Sequence, residues 1–265
     1  MLRRAGLGLY IAFLMVPLYW MVVMSFKTKK EIETGITLLP QEATLANYTR
    51  VFTSEAAPYQ ALIDQSIYVG INAVLSVLLA LPAAYAFSRY RFLGDKHLFF
   101  WLLSNRMAPA AVFAIPFLHL YSGIGLKDTY WAVALAHMLF NVPLAVWILE
   151  GFISGIPKQI DETAYLEGAS FPGFFIKIMT PLIAPGIGVA LFFCFMYSWI
   201  EVILVERLTS KEIMPLSRAL GTAIDPASVD YGLLAALGTL SIIPGLLVLW
   251  FVRKHIARGF AMGRV

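Results

Sequence analysis

Six long runs of apolar residues, separated by shorter polar segments, dominate the pattern of this chain. They cover about residues 6–26, 66–87, 98–118, 129–149, 181–205 and 231–252. A helix rises about 1.5 Å per residue, so about 20 apolar residues cross the roughly 30 Å hydrocarbon core of a bilayer. Each run reaches that length. The pattern therefore predicts an all-α integral membrane protein with six transmembrane helices.

The segments between the runs contain no repeat, low-complexity stretch or linker that would divide the sequence, which predicts a single domain over residues 1–265. The polar stretch at about 27–65 predicts the first external loop. The first apolar run follows Arg3 and Arg4, as a signal peptide core would. It is longer than such a core and no small-residue cleavage site follows it, so we interpret it as a retained first helix.

The composition agrees with a membrane location. Of the 265 residues, 60% are hydrophobic and 14% are charged, and the mean hydropathy is +0.76. A soluble domain carries about 25% charged residues. The single cysteine, Cys194, excludes an internal disulfide framework. The net charge of +4 is concentrated at the ends of the spans, which indicates membrane topology rather than nucleic-acid binding.

Basic residues near the spans predict the orientation, because short cytoplasmic segments carry an excess of Lys and Arg. The candidates are the N-terminus, the connector at 88–97 and the C-terminal tail. These segments contain Arg3, Arg4, Arg89, Arg91, Lys96, Arg253, Lys254, Arg258 and Arg264. Both termini are therefore predicted to be cytoplasmic. Alternation of six spans then places the segment between the fourth and fifth spans on the cytoplasmic side as well.

That segment, residues 157–181, is a charged island between apolar runs. Asp161 and Glu162 lie early in a helix-favouring stretch, where negative charge suits the helix dipole. Gly168 is placed to end this helix at the C′ position, and Ser170 to cap a second short helix. A helix this short needs a surface to lie on. A helix resting on lipid headgroups normally has basic and bulky apolar residues, so the acidic character favours docking on a partner protein.

The island also carries a motif. Glu162-Thr163-Ala164, then Gly168 after three residues, then Ile178-Met179-Thr180-Pro181 after nine more, resembles the cytoplasmic signature of ATP-binding-cassette (ABC) importer permeases. That signature reads E-A-A, three residues, G, nine residues, I-x-L-P. The spacing matches at every step. Thr163 replaces the middle alanine, and Thr180 replaces the leucine before Pro181.

Other segments extend the resemblance to the carbohydrate-type members of that family. They are Ser25–Thr28 with Leu45–Tyr48, Gly125–Thr129, and the glycine-punctuated tail Ile256–Gly263. The chain is similar to the six-span subunit of maltose importers, the shorter of two paired permeases. The resemblance implies a bacterial cytoplasmic (inner) membrane protein whose external loop meets a soluble binding protein.

The resemblance also implies a mechanism and partners. In the family the island forms a coupling helix that sits in a cleft of an ATPase subunit, so that nucleotide-driven closure moves the membrane helices. The implied partners are a second permease subunit, two ATPase subunits and an extracytoplasmic solute-binding protein. The chain itself is expected to need no cofactor, because ATP and Mg are bound by the ATPase. The residues that match the coupling motif are Glu162, Thr163, Ala164, Gly168, Ile178 and Pro181.

Polar residues inside the apolar runs are candidates for the substrate pathway, because a central charge costs about 2.5–3.5 kcal/mol on insertion scales. Arg106 is either a structural residue paired with a neighbouring helix or a donor that lines the passage. Trp199 and Glu201 form an aromatic–carboxylate pair that suits a sugar, and packing near the membrane interface is the alternative explanation for Trp199. Ile200 stands where the family often has asparagine, which favours a smaller solute such as glycerol. Asn72 and Asn141 are weaker pathway candidates, since hydrogen bonds between helices also explain them.

Other functions fit the sequence less well. The chain has no G-x-x-x-x-G-K-[ST] motif, so it is predicted to be a permease subunit and not an enzyme, with ATP hydrolysis on another subunit. An intramembrane serine hydrolase would need a serine in a G-x-S-x-G or G-x-S-G motif, and neither motif occurs in the sequence. A stand-alone channel or secondary carrier would not need the charged island. No metal site is predicted, because His119 and His137 lie on different spans.

Overall fold

The structure is a computed structural model that describes residues 2–55, 57–225 and 228–262, without the side chains of residues 2–3, 225, 228 and 254–262. The tail motif at Ile256–Gly263 and the basic residues Arg3, Lys254, Arg258 and Arg264 therefore lie outside the described side chains. The described residues are mostly helical, which confirms the predicted all-α class. One short hairpin pairs Ile224 with Val229 and Asp225 with Ser228.

Seven helices occur among the described residues up to Ser154. They are α1 (Leu2–Ser25), α2 (Lys29–Thr34), α3 (Ala46–Thr53), α4 (Tyr59–Arg89), α5 (Asp95–Asn105), α6 (Ala110–Gly123) and α7 (Tyr130–Ser154). The second half begins with α8 (Gln159–Leu166) and α9 (Phe171–Phe174). A π-helical segment (Phe175–Met179), α10 (Thr180–Leu182), α11 (Ala184–Ile200), α12 (Ile203–Leu208) and α13 (Leu216–Gly221) follow. Strands β1 (Ile224–Asp225) and β2 (Ser228–Val229) precede α14 (Tyr231–Met262).

Four of the described helices are long and apolar enough to span a membrane: Arg4–Ser25 within α1, all of α4, all of α7, and Tyr231–Arg253 within α14. Two bent pairs also qualify if each pair is counted as one span. These are α5 with α6, bent by 89°, and Phe171–Leu182 with α11, bent by 77°. The described chain thus has four to six candidate membrane helices, at the positions of the six predicted runs.

The bends correct the predicted third and fifth spans, which the apolar pattern treats as straight. The third breaks between Asn105 and Ala110 because Pro109 has no amide hydrogen and disfavours the helical conformation at Ala108. The predicted fifth span bends between Leu182 and Ala184. Its longer helix, α11, ends at Ile200, five residues earlier than predicted. Hydropathy alone does not reveal either break, since the residues on both sides are apolar.

Contacts divide the chain into two compact units, Met1–Asp64 with Met214–Gly245, and Gln65–Ile213 with Leu246–Val265. The single domain over residues 1–265 stays a prediction. The second unit contains the larger apolar core, formed mainly by small and aromatic side chains of α4, α7 and α11. Here α7 and α11 cross closely: a Cβ built on Gly186 would lie 2.5 Å from Cγ of Phe152. Only glycine fits that crossing.

The first unit shows how two of the motif segments, at the start of and within the predicted external loop, contact each other. The Asn47 side chain is buried and donates hydrogen bonds to the carbonyl oxygens of Ser25 (3.0 Å) and Lys27 (2.9 Å). The hydroxyl groups of Ser25 and Tyr48 lie 2.7 Å apart. The Ser25–Thr28 and Leu45–Tyr48 segments therefore form one contact that closes the C-terminal end of α1. The insert ends earlier than predicted, because α4 begins at Tyr59.

Candidate functional site

Helix α8 ends in a well-formed cap. Gly168 follows the last turn with φ +85°, a conformation that glycine adopts without steric cost. Its amide donates to the carbonyl of Tyr165 (3.0 Å), and the Ala169 amide donates to the carbonyl of Ala164 (3.0 Å). This pair of hydrogen bonds is the Schellman motif. The predicted C′ position of Gly168 is thereby observed, and α8 has a fixed end point.

The second predicted cap is only partly formed. Ser170 occupies the N-cap position of α9 in an extended conformation, and its carbonyl accepts from the amide of Phe174 (2.8 Å). Its side chain makes no capping hydrogen bond. The chain direction into α9 is therefore set by the backbone turn that Gly168 begins.

The two sides of α8 differ in exposure. Ala164 is 5% exposed and packs into the apolar core of this chain. Glu162 and Thr163 are exposed. Leu166, which follows Glu162 by four residues and Thr163 by three, is 89% exposed. These three residues share the outward face of the helix. Among the motif residues, Ala164 therefore packs α8 against the rest of the chain. The exposed face of α8 is the part that another subunit can contact.

Leu166 is a surface residue that the sequence pattern does not single out. It lies outside the three-letter motif and reads as one more apolar residue in an apolar chain. The available signal is its spacing, since it falls one turn after Glu162 and on the side opposite Ala164. A single exposed apolar residue is common on a protein surface, so Leu166 is of interest because of its position on the same face as Glu162 and Thr163.

The second half of the motif lies in a distorted helix. Ile178 is half-buried within the π-helical segment, and Pro181 is exposed in the first turn of α10. The hydroxyl and the amide of Thr180 both donate to the carbonyl of Phe175, the hydroxyl at 2.8 Å. Threonine at this position, where the family signature has leucine, thus adds a second hydrogen bond to the carbonyl that accepts the backbone bond of the wide turn.

Asn72 and Asn141 lie in a buried polar cluster between α4, α7 and α11, and both are fully buried. The Asn141 amide donates to the hydroxyl of Ser198 (2.9 Å) and to the carbonyl of Cys194 (3.0 Å), and it also bonds Oδ1 of Asn72. The Asn72 amide donates to the carbonyl of Ala134 (2.7 Å). These bonds favour the helix–helix role over the pathway role for both asparagines.

Arg106 lies at the break between α5 and α6. Its Nη1 donates to the carbonyl of Phe140 on α7 (3.0 Å), and its guanidinium lies 5.3 Å from the ring centroid of Tyr197 on α11. Part of the side chain remains exposed. The hydrogen bond to the Phe140 carbonyl agrees with the structural role that the sequence allows for Arg106. The partial exposure of Arg106 is compatible with the pathway role.

Glu201 pairs with a residue that the sequence did not connect to it. Its Oε2 lies 3.1 Å from Nε2 of His137, whose side chain is fully buried. Its carboxylate also accepts from the amides of Ile203 (2.8 Å) and Leu204 (3.1 Å) and so caps α12. Trp199 lies apart from this pair, with its ring stacked on Phe195 at 5.3 Å. The predicted Trp199–Glu201 pair is thus divided: the two side chains contact different neighbours.

A separate carboxylate organises the turn between α6 and α7. Asp128 lies in this turn with φ +63°. It accepts from the backbone amides of Ser210 (2.7 Å), Lys211 (2.8 Å) and Glu212 (3.0 Å), and from the Ser210 hydroxyl (2.6 Å). The segment after α12 is therefore wrapped around one side chain. The sequence showed Asp128 only as part of a turn motif.

We expect Asp128→Ala to destabilise the chain more than Asp128→Asn. Hydrogen bonds to a charged group are worth about 1.5–3 kcal/mol each, and asparagine keeps an acceptor and tolerates positive φ. Thermal unfolding of the purified variants measures the order of their stabilities. Lys127→Ala, at the neighbouring exposed position, is the control with little expected change. Equal stability of Asp128→Ala and the unmodified chain would contradict the anchoring role.

The Asp128 carboxylate also makes the stability of the chain depend on pH. Burial alone would raise the pKa of Asp128, but hydrogen bonds from Glu212, Ser210 and Lys211 together lower it well below its ordinary value. A carboxyl whose folded-state pKa is lowered contributes stability above its unfolded-state pKa, and this is lost as pH falls towards the folded value. We therefore expect the Asp128→Asn difference in stability to be present at neutral pH and to shrink in strong acid.

A family model described as the binding-protein-dependent transport system inner membrane component matches residues 74–261. This is well over half of the chain. The chain belongs to this family. Its members are permease subunits of ABC importers, so the predicted family is confirmed.

Individual relatives cover almost the whole chain. The arabinooligosaccharides transport system permease protein AraQ of Halalkalibacterium halodurans is 30% identical over 262 residues, which is 97% of this chain and 93% of that protein. The trehalose transport system permease protein SugB of Mycobacterium tuberculosis is 28% identical, covering 97% and 94%. A chain in the crystal structure of a bacterial ABC transporter involved in the import of the acidic polysaccharide alginate superposes with a TM-score of 0.81. It is 21% identical, covering 96% of this chain and 95% of that chain, and it shows the fold.

Membership of this permease family fixes several functional statements. The chain is a multi-pass membrane subunit of an ATP-driven importer, and ATP is hydrolysed on a separate subunit. Its partners include that ATPase and a substrate-binding protein. The roles of the individual site residues stay predictions.

Proposed function

We propose that this permease imports a sugar and that α8 is the coupling helix through which the ATPase drives it. The observation that carries the proposal is the geometry of α8: a short helix between two candidate spans, anchored on one side and ended by the Gly168 cap. Glu162, Thr163 and Leu166 on its outward face are the proposed contact with the ATPase. Gly168, Ile178 and Pro181 set the direction of the chain that leaves this contact.

The proposed topology has six spans with both termini in the cytoplasm. Each bent pair counts as one span in this arrangement, since the two helices of a pair together have the apolar length of a span. Arg89 at the end of α4, Arg91 in the connector and Lys96 in the first turn of α5 then face the same side of the membrane as α8. They supply the cytoplasmic basic bias on the side of the coupling helix.

The proposed assembly contains a second permease, two ATPase subunits that bind ATP and Mg, and an extracytoplasmic binding protein. Alternating access needs two walls around a passage. Helix α1 is only 6% buried within this chain over its most apolar window, so its surface is available to lipid and to another membrane subunit. The Asp128-anchored segment and the 27–58 insert supply the extracytoplasmic surfaces for the binding protein.

The proposed substrate class is a saccharide or polyol, and the names of the relatives support it. They include permeases for trehalose, arabinooligosaccharides, diacetylchitobiose and α-glucosides. None of these names supports glycerol in particular. Arg106 is the proposed pathway residue with the best geometry, because it is partly exposed beside the Tyr197 ring. A guanidinium and an aromatic face together suit a hydroxylated ring.

We expect Arg106→Ala to lower transport or raise the half-saturating sugar concentration, with the ATPase still assembled on the complex. Arg106→Lys keeps the charge but loses the forked donor, so its transport should lie between that of the unmodified chain and that of Arg106→Ala. Transport of labelled sugar and co-purification of the ATPase are measured on the same preparation. Loss of the ATPase from the Arg106→Ala complex would assign the arginine to structure alone.

Co-purification tests the proposed function as a whole. The tagged chain, extracted in mild detergent, should bring with it an ATPase subunit and a second permease, and the complex should accumulate sugar in vesicles only when ATP is supplied. A chain that purifies alone and passes sugar without ATP would support the stand-alone channel or carrier and contradict the importer.

A further inference from the structure

A buried ion pair joins α8 to the end of α4. Nε of Arg89 lies 2.9 Å from Oδ2 of Asp161, and Nη2 lies 3.3 Å from Oδ1. The two side chains are 6% and 9% exposed. Two parallel hydrogen bonds between a guanidinium and a carboxylate fix both distance and orientation. Asp161 faces inward from the first turn of α8, whereas the neighbouring Glu162 is exposed.

The same turn of α4 also holds the end of α7. Nη2 of Arg89 donates to the carbonyl of Ile156 in the turn that connects α7 to α8 (3.0 Å). The hydroxyls of Ser88 and Ser154 lie 2.9 Å apart. One guanidinium therefore bonds both the connecting turn and the helix that follows it.

Tyr85, one turn earlier in α4, completes the junction. Its hydroxyl donates to Oδ2 of Asp161 (3.0 Å). Its ring packs against Phe171 (5.7 Å between centroids), Phe174 (6.2 Å) and Phe175 (5.6 Å), in and after α9. The segments that enter and leave α8 are thus both fastened to the last two turns of α4.

A buried ion pair is weak evidence for stability, because the cost of removing two charges from water can offset their attraction. What a two-pronged buried pair does fix is geometry. Without it, the single hydrogen bond from the Tyr85 hydroxyl to Asp161 and the ring packing of Tyr85 on the segment after α8 would remain, and neither fixes the orientation of α8 in this way. With it, a displacement of α8 has to carry the end of α4 along.

We propose that the Arg89–Asp161 pair makes α8 and the C-terminal turns of α4 move as one body, so that force applied to α8 reaches α4 as well as α7 and α11. The proposal rests on the coupling role of α8 stated above. Arg89 and Asp161 are positioning residues: neither lies on the outward face of α8.

The test compares transport with ATP hydrolysis in vesicles that contain the complete importer. We expect Arg89→Gln and Asp161→Asn to lower sugar transport roughly tenfold or more, a typical size for coupling between two sites. Sugar-dependent ATP hydrolysis should fall much less, so the ratio of ATP hydrolysed to sugar moved rises. The double variant Arg89→Asp with Asp161→Arg should return this ratio part of the way to its native value, because the ion pair is restored with its charges reversed.

A matched control lies two residues along the chain. Arg91 and Asp95 form an ion pair of 3.6 Å in which the arginine is 83% exposed, and Arg91→Gln should leave the ratio unchanged. Normal transport and a normal ratio in both Arg89→Gln and Asp161→Asn would overturn the proposal. So would a proportional loss of transport, hydrolysis and assembled complex, which indicates a role in folding only. If the unmodified complex shows no ATP-driven transport, the proposed function fails first and this inference fails with it.

Discussion

Replacing Gly168 with Asp is expected to abolish transport while the chain still folds and inserts. Gly168 is exposed, with φ +85°, and a Cβ at this position would have no other atom within 4 Å. Asp therefore causes no clash within this chain, and the left-handed conformation costs roughly 1–2 kcal/mol for an L-residue. The new carboxylate would lie at the C-terminal end of α8, where negative charge is unfavourable, and would enter the proposed contact with the ATPase.

Two further substitutions separate the causes. Gly168→Asn has the same shape without the charge and tolerates positive φ, so it should retain part of the transport. Gly94 has φ +83° and the same open surroundings, so Gly94→Asp is a matched control with near-normal transport. Transport rates are compared at equal amounts of inserted protein. Normal transport by Gly168→Asp would contradict the assignment of α8 as the coupling helix.

The second large effect is expected from Glu201→Ala. Removing one partner of a buried hydrogen bond costs about 1–3 kcal/mol, because the other group, here the His137 imidazole, is left unsatisfied. Here the change also removes the cap of α12, since the amides of Ile203 and Leu204 lose their acceptor. We expect a fall in the apparent melting temperature on the order of 10 °C. Glu201→Gln, which retains an amide oxygen as acceptor, should lose less.

A double-mutant cycle with His137→Ala separates the contribution of the His137–Glu201 hydrogen bond from that of the α12 cap. Thermal unfolding of all four proteins gives the coupling energy. A large coupling energy would favour a structural role for Glu201 over the pathway role that the sequence suggested. The opposite result, unchanged stability with a selective loss of sugar affinity, would contradict the structural role and restore the pathway interpretation.

Features that depend on neighbouring residues in the chain were predictable. The apolar runs located the candidate spans because lipid imposes a length on every helix that crosses it. Gly168 was recognisable as a cap because the conformation it adopts is set by local sterics. The motif from Glu162 to Pro181 identified the family for the same reason: its spacing reflects one helix, one cap and one turn.

Features that depend on distant residues were not predictable in this way. Arg89 was interpreted only as a topology marker, and its pairing with Asp161 connects positions 72 residues apart. His137 and Glu201 are 64 residues apart, and Asp128 binds amides more than 80 residues away. In a chain that is 60% hydrophobic, the pattern of polar residues shows that each must find a partner but does not show which one.

The bends at Pro109 and after Leu182 lie between these two cases. Each predicted span contained at least one proline, yet among the described residues only these two predicted spans are broken by more than 40°. Pro17, Pro82, Pro143 and Pro244 lie inside continuous helices. Proline removes one donor in every case, so the difference depends on whether neighbouring helices satisfy the freed carbonyl, which a single segment does not reveal.

The most direct test of the coupling role of α8 places the purified chain in vesicles twice, once alone and once with its second permease, its ATPase and the binding protein. We expect no net sugar uptake by the chain alone. Uptake by the complete set should require ATP and should be lost when Gly168→Asp replaces the native residue. Full uptake by the chain alone, with no nucleotide and no other subunit, would contradict the claim that α8 has to be moved by an ATPase.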